Sequence, residues 1–426
     1  MELSRRALLG TTAAVATAAA TGATTPARAQ GKPVIKIGVL NDASGPYRDT
    51  GGKSSFICTQ QAVEEFASHL NGYTVEVIYG DHQNKPDVGA GLARQWYDRD
   101  GVDMILDVPT SSVALAVAGV AKEKNKCHVN IGAATADLTG KACAPSIVHW
   151  SYDTYMLAKS TGGATVKAGG DTWFFITADY AFGQQLQRDT TSFVTAAHGK
   201  VLGAAPYPFP STTDFSSFLL QAQGSGAKVL GLCNAGGDTV NSIKQAKEFG
   251  LEMKIAAMLM FITDVNALGL ETAQGLRLTE SFYWDLNDGT RAFTNRVKPK
   301  TPDNWPNMIH AGCYASTLHF LKAINKIGPT AAKAAGSNIV DAMKSIPTED
   351  DCFGKGSIRQ DGLALFPSYL FEVKKPSESK GKWDQARPYL PSATQEDQRL
   401  GLQSLLRFRH IRDIFSRCKR IGAKAL

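Results

Sequence analysis

The chain has 426 residues, of which 43% are hydrophobic and 40 are glycines. This length exceeds one ordinary hydrophobic core and predicts at least two compact lobes of a globular α/β protein. The formal net charge is +7, but residues 1–29 carry +2 and residues 385–426 carry +6, so the body between them carries −1. The basic charge therefore gives no indication of nucleic-acid binding.

The first 29 residues have the pattern of an export signal. Arg5 and Arg6 precede a mild Ala/Thr-rich stretch, and Ala27-Arg28-Ala29 forms a small-residue cleavage site. Paired arginines before a weakly apolar segment are typical of the twin-arginine route. Residues 7–22 are too weakly apolar to serve as a membrane anchor, which needs roughly 20 apolar residues. We expect cleavage near Ala29 and a mature protein that works in the periplasm.

The seven cysteines indicate no metal site, because none of them forms a Cys-x-x-Cys pair. An exported protein can keep disulfides, and the odd number leaves at least one cysteine without an intramolecular partner. Cys127 and Cys233 lie in apolar runs, which favours buried, structural side chains.

Strand and helix patterns alternate from residue 34 onwards in two similar blocks. The first block has strand-like residues 34–40, 73–79, 102–108 and 127–131, with helical spacing between them. The second block has strand-like residues 171–176, 201–204, 228–233, 255–259 and 275–279. This alternation predicts parallel sheets that are covered by helices on both faces.

The region after residue 288 is too short to form a third domain. It has helical spacing over residues 308–327 and 336–346, and strand-like residues 355–359 and 369–373. We therefore expect it to complete the two lobes through a multi-strand hinge with a cleft. The predicted lobe 1 comprises residues 31–152 and 288–365, and lobe 2 comprises residues 153–287 and 366–384. Residues 385–426 form an atypical basic tail, for which we favour a poorly ordered segment without a site over a membrane-surface helix.

Several short motifs follow one another in a fixed order behind the export signal. They are Ser44-Gly45-Pro46, Asp81-His82-Gln83-Asn84, Gly132-Ala133-Ala134-Thr135, Ala178-Asp179-Tyr180-Ala181-Phe182-Gly183 and Asn234-Ala235-Gly236-Gly237-Asp238. In this order, residues 33–384 resemble the periplasmic solute-binding proteins of ABC importers, of the type I fold and the branched-chain amino acid (Leu/Ile/Val) receptor group. The resemblance implies a monomer that delivers its solute to an inner-membrane permease.

The segment Thr110, Ser111 and Ser112 lies between a predicted strand and the helix that follows it. Free backbone N–H groups at a helix start, with three hydroxyls, can bind a carboxylate, although plain helix capping explains the same residues. The resemblance implies that the segment binds the ligand carboxylate together with Ala133 and Thr135.

The second lobe is expected to supply the opposite wall. The resemblance implies that Tyr180 and Phe182 close an aromatic side over the ligand. We expect Tyr47 to reach the cleft rim, with packing on the surface as the alternative. A further strand end contributes Asn234, Ala235, Gly236 and Asp238.

Phe261 stands where amino-acid receptors of this group place an acid that pairs with the ligand ammonium. This departure favours an aromatic or aliphatic carboxylate, with amides or branched-chain amino acids as the runner-up ligands. Asp238 or Asp264 are alternative acids, although each equally suits a helix N-cap.

Motifs of common enzymes are missing from the sequence. It has no Gly-x-Gly-x-x-Gly after the first strand, no P-loop, no His-Glu-x-x-His and no Gly-x-Ser-x-Gly. We predict a binding protein without cofactor or catalysis, which traps a small carboxylate-bearing solute by hinge closure. The alternatives are a ligand sensor for a signalling receptor and an exported hydrolase.

Overall fold

The computed structural model describes residues 31–389. The first part of the chain forms a five-stranded parallel sheet with the order β2-β1-β3-β4-β5. Its strands are β1 (Val34–Asn41), β2 (Thr74–Asp81), β3 (Met104–Asp107), β4 (Cys127–Asn130) and β5 (Ile147–His149). Helices α1 (Gly52–Phe66), α2 (Pro86–Asp98) and α3 (Ser111–Glu123) connect them. Strands β3 and β4 are fully buried, as expected of a parallel sheet covered on both faces.

The second part forms a four-stranded parallel sheet with the order β7-β6-β8-β9. Its strands are β6 (Thr172–Ala178), β7 (Lys200–Tyr207), β8 (Val229–Cys233) and β9 (Lys254–Ala257). Its helices are α4 (Thr154–Leu157), α5 (Gly163–Lys167), α6 (Ala181–Ala196), α7 (Ser216–Gly224), α8 (Gly237–Glu248), α9 (Ile262–Leu268) and α10 (Leu270–Ala273). We call the first sheet with its helices lobe 1 and the second lobe 2.

The chain passes between the two lobes three times. It leaves lobe 1 after β5, returns from β10 (Arg277–Glu280) to α11 (Asp288–Val297), and goes back to lobe 2 at β14 (Tyr369–Val373). The remaining elements are α12 (Met308–Ile327), α13 (Pro329–Ala334), α14 (Gly336–Lys344), β11 (Thr348–Asp350), β12 (Gly354–Ile358), β13 (Ala364–Leu365) and β15 (Ala386–Pro388). Strands β11 to β13 pair antiparallel, as do β10, β14 and β15. Three connections at one side of two lobes suit a hinge.

Helix α12 forms the centre of lobe 1. Fifteen of its 20 residues are buried, because apolar side chains occur on every side of the helix. It packs against α1 and α14, and the side chain of Asn307 accepts hydrogen bonds from the N–H groups of Ile309 and His310 at its start. This capping fixes the start of α12 beside the cleft.

The predicted α/β fold with two parallel sheets is confirmed, and element bounds shift by only a few residues. The strand expected over residues 255–259, for example, ends at Ala257. Residues 385–389 correct the predicted start of the tail, because Ala386–Pro388 extends the β10-β14 sheet and Arg387 forms ion pairs with Glu372 and Glu378. The export signal and residues 390–426 lie outside the described residues. The predicted lobe boundaries stay a prediction.

Two of the cysteines are buried and free, as their apolar surroundings in the sequence predict. Cys127 and Cys233 are free and buried within apolar strands, as expected. Burial raises the pKa of both thiols, which makes them poor nucleophiles. Cys143 is disulfide-bonded.

Candidate functional site

A narrow cavity lies between the two lobes, where strands of both sheets end. Its empty space amounts to about 270 Å³. Lobe 1 and the first connection supply Tyr47, Thr50, Pro109, Gly132, Ala134, Tyr152 and Ile309, and lobe 2 supplies Tyr180, Phe182, Ala235, Leu259 and Phe261. Ligands of open parallel sheets bind at such strand ends, and an apolar wall with a few polar groups is typical of small-molecule sites.

Aromatic side chains from both lobes meet across this cavity. The hydroxyls of Tyr47 and Tyr180 lie 2.5 Å apart, and burial raises the pKa of both phenols. Phe209 stacks on both rings, with centroid distances of 4.3 Å to Tyr180 and 5.6 Å to Tyr47. Because Tyr47 belongs to lobe 1 and the other two rings to lobe 2, the contacts of Tyr47 with Tyr180 and Phe209 join the lobes, whereas the Tyr180–Phe209 stack lies within lobe 2.

A second contact across the cleft requires a glycine. The N–H of Gly237 donates to the carbonyl oxygen of Pro46 at 3.0 Å. Its neighbour Gly236 has φ +58° and ψ −133°, and a Cβ atom there would lie 2.4 Å from the same oxygen. Only glycine combines this backbone conformation with so close an approach.

Seven of the predicted site residues line two parts of the cleft. Tyr47, Tyr180, Phe182, Ala235 and Phe261 line the narrow cavity. Gly236 and Asp238 line a wider outer part of the cleft, with about 1280 Å³ of empty space. Both lobes contribute to that outer part as well. Their binding roles stay a prediction.

The hydroxyls expected to bind a carboxylate have protein partners in this structure. The Thr110 hydroxyl donates to the side-chain oxygen of Asn84, and the Thr135 hydroxyl donates to Oε1 of Gln185 at 2.6 Å. The carbonyl oxygen of Ala133 accepts from His149. None of these three residues lines the narrow cavity, which differs from the expectation. The cause lies in residues distant in sequence, since Gln185 belongs to lobe 2.

Three other predicted site residues also lie outside the lining of the narrow cavity. Asn234 is buried and bonded to Thr239 and Ser242 within the start of α8, so it holds that helix instead of lining the narrow cavity. Ser112 is half-buried in the first turn of α3. Ser111 differs from Asn234, because its buried Oγ atom has no hydrogen-bond partner among the described residues.

The backbone just before α3, which leads to the wall residue Pro109, is strained. Asp107 and Val108 have φ values of +79° and +57°, which L-residues rarely adopt. The side-chain amide of Asn130 donates to both of their carbonyl oxygens, at 2.9 and 3.1 Å, and the amide of Asn41 donates to the Asp107 carboxyl at 2.5 Å. These bonds hold a conformation that places Pro109 on the cavity wall.

Sequence reasoning missed several wall residues. Tyr152 follows β5 and donates its hydroxyl to the carbonyl oxygen of Gly132 at 2.5 Å. Binding of ligands at strand ends would have indicated it only if β5 had been predicted. Leu259 ends the predicted strand over residues 255–259, so its position was a signal for a wall residue. Thr50 and Ile309 carry no local signal, because only the packing of α1 and α12 brings them to the cavity.

Three comparisons with known proteins were made. The family model described as periplasmic binding protein matches residues 34–382. This match covers most of the chain. The chain belongs to the periplasmic binding protein family. A comparison with curated proteins found no match.

Solved structures of periplasmic binding proteins resemble this one closely. A periplasmic binding protein from Burkholderia mallei is 48% identical, with a TM-score of 0.81 over 84% of this chain and 95% of that chain. A branched chain amino acid ABC transporter periplasmic ligand-binding protein from Burkholderia xenovorans LB400 is 35% identical, with a TM-score of 0.73 over the same shares. A solute-binding protein from R. palustris in complex with benzoate is 19% identical, with a TM-score of 0.75 over 84% of this chain and 97% of that chain, and shares the fold.

Acidic groups lie on the lobe 2 side of this periplasmic binding protein. Tyr207 donates its hydroxyl to Asp238 at 2.7 Å, and burial raises the pKa of Asp238 to about 6. Asp264 is not the N-cap of α9, which is Phe261, but its carboxyl in the first turn accepts the N–H of Phe261 at 2.9 Å, and burial raises its pKa to about 7. Phe261 itself is an apolar wall residue, so any acid that contacts a ligand must come from another position.

The described part of the chain offers neither a metal centre nor a membrane span. Within residues 31–389, no three or more His, Cys, Asp or Glu side chains are grouped so that they could hold a metal ion. The helices of the same range are all too short or too polar to cross a bilayer.

Proposed function

We propose that this protein is the periplasmic receptor of an ABC importer, which traps a small carboxylate-bearing solute between its lobes and delivers it to an inner-membrane permease. One observation carries the proposal: a cavity walled by both lobes is closed by the hydroxyl contact between Tyr47 and Tyr180. The 35% identical relative, named as a branched chain amino acid ABC transporter ligand-binding protein, supports the same class of function.

The carboxylate is expected at the start of α3. The buried Ser111 Oγ atom lacks a partner there, and the first turn of any helix leaves backbone N–H groups free. The helix dipole contributes only about 0.3–1 kcal/mol, so charge-assisted hydrogen bonds of about 1.5–3 kcal/mol each must supply most of the attraction. The aromatic wall favours an aromatic or branched aliphatic skeleton.

Closure follows from binding to both walls at once. A ligand favours the closed form only through contacts that the open form lacks. The Tyr47–Tyr180 contact and the hydrogen bond from Gly237 to Pro46 are contacts of this kind, and a bound solute adds its own contacts to both lobes. We infer that the solute leaves unchanged, and that the export signal in residues 1–29 sends the protein to the periplasm as a monomer.

Calorimetry on the mature protein, which begins at Gln30, tests the proposal. The panel contains L-leucine, 4-methylpentanoate, L-phenylalanine, 3-phenylpropanoate, benzoate and acetamide, and mass spectrometry identifies any solute that co-purifies. We expect at least one acid or amino acid to bind at micromolar concentration or below and to be recovered intact. Ser111→Ala should weaken binding about 10-fold, while the half-buried Ser112→Ala serves as the control. Turnover of a bound solute, or no binding across the panel, would contradict the proposal.

Measurements of solute uptake and of signalling in cells distinguish an import receptor from a ligand sensor. Deletion of the gene should abolish uptake of the bound solute while the response of signalling receptors stays intact. Loss of a signalling response with normal uptake would favour the sensor alternative.

A further inference from the structure

Three tryptophans form a cluster where the two lobes meet, beside the outer part of the cleft. The rings of Trp305 and Trp383 stack, with centroids 5.9 Å apart and an interplanar angle of 10°. The ring of Trp284 meets that of Trp305 edge-on at 5.0 Å, and its Nε1–H donates to the carbonyl oxygen of Trp383 at 2.7 Å. We call Trp284, Trp305 and Trp383 the tryptophan cluster. Aromatic rings in stacked and edge-on arrangements attract each other beyond the effect of burial alone.

The tryptophan cluster joins the two lobes. Trp383 follows β14, is only 5% exposed and belongs to the hydrophobic core of lobe 2. Trp305 lies in the loop between α11 and α12 of lobe 1, yet its side chain packs against the same core of lobe 2. Trp284 lies in the connection from β10 to α11. A change in the angle between the lobes would therefore disturb the stack of Trp305 on Trp383.

The loop that carries Trp305 also holds part of the cavity wall. The side-chain amide of Asn304 donates to the carbonyl oxygen of Asp49 at 2.8 Å, and that of Asn307 donates to the carbonyl oxygen of Thr50 at 2.9 Å. Thr50 lines both the narrow cavity and the outer part of the cleft. The stack therefore fixes lobe 2 relative to a segment of lobe 1 that forms the wall.

Trp305 is placed to act on binding without meeting the solute. Its side chain is half-buried and lines neither the narrow cavity nor the outer part of the cleft. A contact between two lobes favours the arrangement of the lobes in which it forms. Apparent affinity falls with the fraction of molecules that are in the binding-competent arrangement, so a contact of this kind raises affinity from outside the site.

We propose that Trp305 is a positioning residue for solute binding, whose stacking on Trp383 holds the lobes in the arrangement that binds the solute. The inference rests on the proposed function and concerns how the same cleft is kept closed. It makes affinity depend on a side chain outside the cleft, and it makes the unliganded protein more compact than it is without the stack.

Calorimetry and small-angle X-ray scattering of the mature protein test this assignment. The calorimetric probe is the member of the six-solute panel that the wild type binds most tightly. We expect Trp305→Ala to bind it about 5- to 50-fold more weakly, because the binding arrangement loses its stack. Without solute, the variant should have a larger radius of gyration than the wild type, and saturating solute should bring the two radii together. Trp305→Leu keeps apolar bulk without the stack, should show the same losses, and replaces the alanine variant if that variant is unstable.

Two control variants show whether the effect belongs to the stack. Trp305→Phe keeps an aromatic ring against Trp383 and should bring affinity back to within about 3-fold of the wild type. Phe218→Ala removes another half-buried ring, which meets Tyr207 and Phe215 at 6.0 and 6.3 Å within lobe 2 and lines neither part of the cleft. It should lower the melting temperature and leave affinity and the unliganded radius of gyration unchanged.

A purely structural role of Trp305 gives a different result. If Trp305→Ala lowers only the melting temperature and keeps the affinity and radius of the wild type, the positioning role fails while the receptor function stands. If the wild type binds no solute of the panel, the proposed function fails. The radii of the unliganded wild type and Trp305→Ala then still decide whether the stack holds the lobes together.

Discussion

Substitution of Gly236 by alanine should block closure while the lobes still fold. A Cβ atom at this position would lie 2.4 Å from the carbonyl oxygen of Pro46 and 3.1 Å from a ring carbon of Tyr47. Both contacts are made by lobe 1, whereas Gly236 belongs to lobe 2. The clash therefore arises only in the closed form and acts directly on ligand affinity.

The magnitude follows from two losses. Overpacking of a tight contact costs about 1–3 kcal/mol, and loss of the hydrogen bond from Gly237 to Pro46 costs a further 0.5–1.5 kcal/mol or so. Together they amount to about 2–4 kcal/mol, which is about a 30- to 1000-fold weaker dissociation constant. The left-handed backbone at φ +58° adds about 1–3 kcal/mol of strain in both forms, which lowers unfolding stability without changing affinity.

Gly237→Ala is the control for this prediction. A Cβ atom there would lie 3.7 Å from Pro46, which is an ordinary van der Waals distance. Calorimetry with the tightest-binding panel solute gives both affinities, and small-angle X-ray scattering shows whether the ligand still compacts the protein. If Gly236→Ala binds as tightly as Gly237→Ala and compacts normally, this closed arrangement of the cleft is not the ligand-bound one.

Three further substitutions address separate parts of the structure. Tyr180→Phe should weaken ligand binding about 5- to 30-fold in calorimetry, because the Tyr47 hydroxyl loses its partner in the closed form. Asn130→Asp should lower the free energy of unfolding, measured in urea, by about 2–4 kcal/mol. The carbonyl oxygens of Asp107 and Val108 lose the hydrogen bonds from the Asn130 amide, and a second buried carboxyl lies next to that of Asp107. In the wild type, burial raises the pKa of the Asp264 carboxyl to about 7, so the folded protein keeps a proton that the unfolded chain releases. The free energy of unfolding of the wild type should therefore fall by about 2–3 kcal/mol from pH 5 to pH 7. Asp264→Asn should remove this fall.

For each of these three predictions, one experimental result would contradict the reasoning. The double variant Tyr47→Phe/Tyr180→Phe should bind more tightly than Tyr180→Phe alone, since no buried hydroxyl is then unpartnered, and weaker binding would argue against the hydroxyl pair. The exposed Asn338→Asp is the control for Asn130, and an equal loss of stability in both would remove the special role of Asn130. An unchanged fall in stability between pH 5 and pH 7 in Asp264→Asn would show that other buried acids cause it.

Much of the fold was predictable from the sequence. Alternating strand and helix patterns, broken by glycine and asparagine turns, are local properties of the chain, and they predicted both parallel sheets. The resemblance indicated Tyr180 and Phe182, which line the cavity wall, and their place after a strand agrees with ligand binding at strand ends. Family motifs in a fixed order then indicated the class of protein that the comparisons confirmed.

The tertiary structure decided which polar groups are available to a ligand. The resemblance indicated Thr135 as a ligand-binding residue, but its hydroxyl donates to Gln185, 50 residues away on the other lobe. Ile309 reaches the wall only through the packing of α12. Secondary structure depends on near neighbours along the chain, whereas burial and hydrogen-bond pairing depend on residues that only folding brings together.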